Sequence, residues 1–269
     1  MAADQTPPAA ERTSQGVQRM FDRVAPRYDL ANTVFSMGQD KGWRVAAARA
    51  TRLAAGEVAV DVACGTGGLA RELETLAPGA TVAGFDFSLE MLAQGPRGRV
   101  AAGDALQLPL ADASVDVVTI AFGLRNLPEP GQGLLEFRRV LRPGGRLVVC
   151  EFSTPVVPVL RDVYRRYLTR LMPVAARRLT SDPEAYQYLA RSIGAWPDQP
   201  ALARCCRTPA SGRWPGATSP AASSPSTAGW PGHRENGSRT IAVTHCAPYT
   251  PVDVLVSRFT NGRGRWEAR

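Results

Sequence analysis

Between Val58 and Glu151 the chain alternates short apolar runs with stretches of helical spacing, and the links between them are brief. Val58–Val62, Thr81–Phe85, a run near Arg99–Ala102, Val115–Ile120 and Arg146–Glu151 read as strands. Leu69 to about Leu76, a segment opening at Ser88, and Gly131–Val140 read as the helices between them. Strands joined through helices run parallel, because each crossover returns the chain to the same end of the sheet. The expectation is an α/β fold: a doubly wound, mostly parallel sheet with helices on both faces. Upstream, apolar residues recur at helical spacing from Val17 to about Leu53, and Pro26 and Gly38 break this stretch into two or three helices. Residues 1–15, rich in Pro and Ala, read as a disordered lead.

Such sheets take ligands at the carboxyl ends of their strands. The first strand ends in Cys64-Gly65-Thr66-Gly67-Gly68, a turn that brings backbone close to a ligand. Asp86 closes the second strand, 19 residues past Gly67, where a carboxylate can accept both ribose hydroxyls of an adenosine. Asp104 follows the third strand, placed to accept from an adenine amino group. A dinucleotide would set a pyrophosphate at the turn, and Asp61 just before the glycines disfavours that anion. S-adenosylmethionine (SAM), with a sulfonium and an ammonium group and no phosphate, suits the same charge. A capping or turn carboxylate is the plainer role for Asp61.

Charge excludes little until it is divided. The net +8 separates into +5 on residues 205–269 and +3 on residues 1–204, so basicity gives weak grounds for a nucleic-acid partner and none is expected. The body holds only Cys64 and Cys150 and no His, too few for a disulfide framework or a zinc site, so no metal is expected. With no secretory-type apolar segment at the N-terminus and no apolar run long enough to span a bilayer, the expected location is cytoplasmic. Residues 156–179 carry an apolar stripe, Val159, Leu160, Val163, Tyr164, Tyr167, Leu168, Leu171 and Met172, with six Arg interleaved on the other face. That stripe either packs on the sheet or covers a pocket, or it lies on anionic lipid as a peripheral membrane contact.

Asp61-Val62-Ala63-Cys64-Gly65-Thr66-Gly67 with Asp86-Phe87-Ser88 resembles the class I SAM-dependent methyltransferases. Phe21 to Asp29, Thr119 to Asn126, Arg142-Pro143-Gly144-Gly145, Glu151-Phe152-Ser153, Pro183 to Tyr186, Ser192-Ile193 and Ala195 to Gln199 narrow the resemblance. Together they are similar to the quinone C-methyltransferases of menaquinone and ubiquinone biosynthesis, over residues 17 to 202. The resemblance implies SAM as methyl donor, held at Thr66, Asp86, Asp104, Ala105 and Ala121. Relatives commonly carry Ser where this chain has Ala121, so one hydrogen bond of about 1 kcal/mol is absent. The implied reaction is C-methylation of demethylmenaquinol, a polyprenyl naphthoquinol; a polyprenyl methoxybenzoquinol is the alternative substrate, and a damaged inactive fold the third reading. Tyr28, Asp29, Arg125 and Asn126 are candidates to contact the quinol oxygens, with Arg125 either stabilising a phenolate or serving a structural ion pair. No residue is readable as the proton acceptor.

The order ends after Arg204. Of the 65 residues beyond it, 28 are Pro, Gly, Ser or Thr, where the resemblance implies a helix and two strands around a segment like NLTGGIVALH. Read one frame over, codons for Cys205 to Ser211 permit LQDAGF and those for Gly216 to Thr227 permit RNLTGGIVALH. Two bases of each shifted codon are fixed by the observed residues. The reading is a domain over residues 16–204, a frameshifted low-order tail over 205–269, and a sheet lacking its terminal strands.

Overall fold

The computed structural model describes residues 14–36, 38–95, 98–152, 158–167, 183–197, 201–202, 239–246, 254–259 and 266–268. Three helices come first: α1 (Ser14–Val24), α2 (Tyr28–Phe35) and α3 (Asp40–Thr51). A 3-10 turn at Ala25–Arg27, with Pro26 in its first positions, separates α1 from α2. The alternating part follows as β1 (Val58–Val62), α4 (Gly68–Leu76), β2 (Thr81–Asp86), α5 (Leu89–Gln94), β3 (Val100–Ala102), β4 (Val115–Ala121), α6 (Pro130–Val140) and β5 (Leu141–Phe152). α7 (Pro158–Arg166), α8 (Pro183–Ala195), β6 (Arg239–Cys246), β7 (Val254–Phe259) and β8 (Trp266–Ala268) complete the described elements.

The sheet order is β3-β2-β1-β4-β5-β6-β7-β8. Pairings from β3 through β6 are parallel, and β7 and β8 are added antiparallel. The order reverses at β1, so the ends of β1 and β4 diverge around a crevice. β5 starts earlier than the sequence suggests: Leu141 pairs with Val115, and Arg142–Gly145 bulges out before Arg146 pairs with Val117.

The expectation that the sheet loses its terminal strands after residue 204 is corrected by β6, β7 and β8. The edge of β5 would otherwise leave a row of unpaired backbone groups. Thr240-Ile241-Ala242-Val243-Thr244, rich in β-branched residues, pairs along it from Arg146↔Thr240 to Phe152↔Cys246. The turns and loops around these strands fall outside the described residues, as do residues 1–13 and the stripe beyond Tyr167.

Strand alternation divides the apolar residues between two layers. Val60, Val62, Val118, Ile120, Leu147 and Val149 pack with Leu134, Phe137 and Val140 of α6 on one face. Ala59, Val82, Val117, Val148 and Cys150 pack with Trp43, Ala47 and Ala48 of α3 and Leu69, Ala70 and Leu73 of α4 on the other.

Candidate active site

The turn after β1 passes through the left-handed region at Ala63 (φ 52°), Gly65 (φ 56°) and Gly67 (φ 76°). Only glycine adopts such angles without strain, which accounts for two of the three residues there. The turn is tied to the next strand end: the Gly65 amide donates to Asp86 Oδ2 at 2.7 Å, and the Ser88 amide to Asp86 Oδ1 at 2.9 Å. Burial pushes the Asp86 carboxyl up while those amides pull it down. Asp104 is exposed beyond β3 and accepts from the Leu106 amide at 2.8 Å; Ala105 beside it is buried. Ala121 ends β4, paired with Cys150 of β5.

Asp61 lies enclosed behind the turn, within reach of the Ala70 backbone and of Asp86. Parallel register sets it opposite Thr119, whose hydroxyl donates to Asp61 Oδ1 at 2.7 Å, and the carboxyl is buried. Desolvation pushes its pKa up to about 7.

Helices α1 and α2 cross the strand ends. Gln18 Nε2 donates to the Phe87 carbonyl at 3.0 Å, the Ser88 hydroxyl to Asp22 Oδ1 at 2.6 Å, and the Thr66 hydroxyl to Asp29 Oδ1 at 2.9 Å. Asp22, Asp29 and Asp86 thus meet the glycine turn or the turn after β2, with Asp61 behind. This acidic surround fits a cationic group such as a sulfonium or ammonium and opposes a phosphate.

Beside the strand ends opens a cavity of about 860 Å³, its mouth included. Its lining is largely aromatic and aliphatic: Phe21 and Val24 of α1, Trp43 of α3, Phe122, Phe152, and Leu189 and Ile193 of α8 among others. Tyr28, Arg125, Tyr164 and Tyr188 supply polar edges. Trp43, Phe122 and Phe152 form an aromatic cluster with ring centroids 4.8–6.0 Å apart. The two regions adjoin through neighbouring residues: Tyr28 lines the cavity while Asp29 holds Thr66, and Phe122 lines it directly after Ala121.

Arg125 sits on the 3-10 turn Leu124–Asn126 after β4. Its Nη1 reaches Glu151 Oε1 at 2.8 Å and the Phe122 carbonyl, and its backbone amide donates to Glu151 Oε2 at 3.2 Å. Phe122 adopts φ 58°, which swings its carbonyl to accept from both Arg125 and Asn126 Nδ2. The guanidinium carbon stands 5.0 Å from the Phe152 ring centre. Arg125 Nε is buried without a hydrogen-bond partner. Asn126 Oδ1 accepts from the Tyr188 hydroxyl at 3.3 Å. Burial raises the Tyr28 phenol above its ordinary value, so it stays protonated as a donor.

The structure therefore sets Gly65, Thr66, Gly67, Asp86, Asp104, Ala105 and Ala121 at the carboxyl ends of β1 to β4, and places Tyr28 and Arg125 on the cavity with Asn126 adjoining. Arg125 makes an ion pair with Glu151 and lines the cavity. Asp29 engages Thr66 at the turn. Sequence reasoning missed Glu151 as a site residue, although the Glu151-Phe152-Ser153 motif was visible; nothing in the spacing links it to Arg125, 26 residues away. The stripe near 156–179 is divided in its described part. Tyr164 and Tyr167 line the cavity, whereas Val159 and Val163 are 71% and 57% exposed.

The model of the "ubiE/COQ5 methyltransferase family" matches residues 9–210. A demethylmenaquinone methyltransferase of Corynebacterium kroppenstedtii is 51% identical over 196 residues, covering 72% of this chain and 85% of that protein. Proteins of the same name from Mycobacterium marinum and Mycolicibacterium gilvum are 51% and 50% identical, covering 73% and 72% of this chain and 85% of each relative. The chain belongs to the ubiE/COQ5 methyltransferase family and is an enzyme of the methyltransferase class.

Proposed function

We propose that this enzyme transfers the methyl group of SAM to a ring carbon of demethylmenaquinol, a polyprenyl naphthoquinol. The carrying observation is the juxtaposition of an acidic strand-end cradle with an aromatic cavity whose polar edges include Arg125 and Tyr28. The names of relatives at 50–51% identity support the naphthoquinol over the benzoquinol.

SAM, when bound, supplies an electrophilic methyl group on a sulfonium. Gly65, Thr66 and Gly67 would present the β1 turn to it, with Asp86 and the Asp104-Ala105 pair at the adenosine and Ala121 alongside. Asp61 makes no contact with it, since its carboxyl is enclosed against Thr119. A neutral quinol carbon is a weak nucleophile, and loss of a hydroxyl proton pushes electron density onto the ring. Arg125 and Tyr28 donate hydrogen bonds to the quinol oxygens, and the aromatic cluster orients the ring and excludes water.

Within the same reading, α7 makes a peripheral contact with the membrane that holds the lipophilic substrate. Tyr164 and Tyr167 face the cavity while Val159 and Val163 stay exposed on that helix. Among the described residues no helix is long and apolar enough to cross a membrane. Residues 16–204 are read as the catalytic unit and 205–269 as out-of-frame sequence.

The test is incubation with SAM and each of two reduced quinones, demethylmenaquinol and the methoxybenzoquinol, with product mass read by chromatography. A methylated naphthoquinol with the benzoquinol left unconverted is expected. Conversion of the benzoquinol alone would overturn the substrate, and SAM binding by calorimetry without transfer to either quinol would support the damaged-fold reading.

A further inference from the structure

The cavity's two charged lining cations, among the described residues, are each matched by one carboxylate. Arg44 pairs with Asp40 at 3.1 Å, both on α3 and both on the lining. Arg125 pairs with Glu151 at 2.8 Å, and here the carboxylate does not line the cavity: Glu151 is 0% exposed on β5. Among the described residues, the remaining titratable groups on the lining are the phenols Tyr28, Tyr164, Tyr167 and Tyr188.

Glu151 clamps Arg125 from both ends. Oε1 takes the guanidinium and the Glu151 carboxylate's Oε2 takes the Arg125 backbone amide, while the Phe152 amide also donates to Oε1 at 2.9 Å. A carboxylate carried into a core at this cost of desolvation is retained only where its charge is answered, and Arg125 answers it. The same carboxylate leaves the guanidinium facing an apolar chamber with no net charge behind it, and with Nε–H still unsatisfied.

We propose that Glu151 is a positioning residue that sets which ionisation state of the quinol the cavity admits: it fixes the Arg125 guanidinium and cancels its charge, so the neutral quinol binds. This rests on the cavity being the quinol pocket. Negative charge then appears on the ring oxygen during the reaction rather than at binding, where a free guanidinium in the same place would trap the phenolate or any other anion of that shape.

The experiment uses two naphthoquinone probes of similar outline: a hydroxynaphthoquinone, ionised at neutral pH, and a neutral methylnaphthoquinone. Their affinities for the full chain are compared with those for Glu151→Gln, which preserves the side-chain shape and removes the charge. The expected result is a shift of the anion-to-neutral affinity ratio toward the anion by about tenfold or more, as an uncompensated charge a few ångströms from the ligand requires. Arg125→Gln, in which the enclosed Glu151 takes up a proton, again leaves the site without net charge, so the ratio is expected to stay within about threefold of that of the unsubstituted chain. Equal changes for both probes in Glu151→Gln would overturn the proposal and leave Glu151 a purely structural partner. Should Glu151→Gln lack a cooperative thermal transition, Arg125→Gln decides alone, and a fall of about tenfold in the ratio there overturns it, since it would show the Arg125 charge to have been uncancelled. If the unsubstituted chain binds neither probe, the quinol-pocket reading itself falls.

Discussion

Replacing Asp61 with Asn should stabilise this enzyme at alkaline pH and leave it almost unchanged in mild acid. Asp61 is 1% exposed, and desolvation raises its pKa from 3.8 to about 7 even though the Thr119 hydroxyl donates to it. Below the unfolded pKa both states hold the proton and the residue contributes nothing to the pH dependence. As pH rises through about 4 the unfolded chain releases its proton while the folded chain keeps it, so stability falls until about pH 7 and then levels off. At about 1.4 kcal/mol per pH unit, the loss by about pH 8 is on the order of 4 kcal/mol. Asn keeps an oxygen to accept from Thr119 and has no charge to desolvate. The neighbouring Asp86 also raises Asp61, so its own titration relaxes a little in the variant. Urea unfolding of both proteins at about pH 4 and about pH 8 measures the difference. A gain for the variant of roughly 3–4 kcal/mol at the higher pH, against less than about 1 kcal/mol at the lower, is expected. Equal destabilisation at both pH values would refute the reasoning and show that the ionised carboxylate is the form the fold requires.

Two further predictions bear on the membrane face and the tail. Replacing Val159 and Val163 together with Asp should remove about 2 kcal/mol of lipid contact, a roughly thirtyfold loss in sedimentation with anionic phospholipid vesicles; failure of the unsubstituted chain to sediment would end the membrane reading. Sequencing the coding DNA across Ala201 to Trp230 should reveal a one-base displacement whose correction restores RNLTGGIVALH. Peptides from residues 207–258 recovered from the native protein would show instead that the written frame is the expressed one.

The strand ends were readable because each depends on local chemistry. Gly65 and Gly67 follow an apolar run where the chain needs left-handed backbone, and Asp86 terminates the next run. Pairing was less accessible. Leu141 begins β5 ahead of the Arg142–Gly145 turn because the bulge resumes the ladder on its far side, a choice made by β4 and not by the turn residues. Val159 and Val163 look the same in sequence as Tyr164 within the stripe, yet only the position of each against the cavity separates the exposed pair from the buried ring.

By itself the amino-acid sequence determined the doubly wound order, the acidic and glycine-rich strand ends and the family, since period, turn chemistry and motifs are written in neighbouring residues. Tertiary structure alone decided that Asp61 faces Thr119, that Glu151 holds Arg125, and that a strand from residues 239–246 covers β5. Each of those is a pairing between segments far apart in the chain. Register and burial select such partners, and neither is encoded at either position alone.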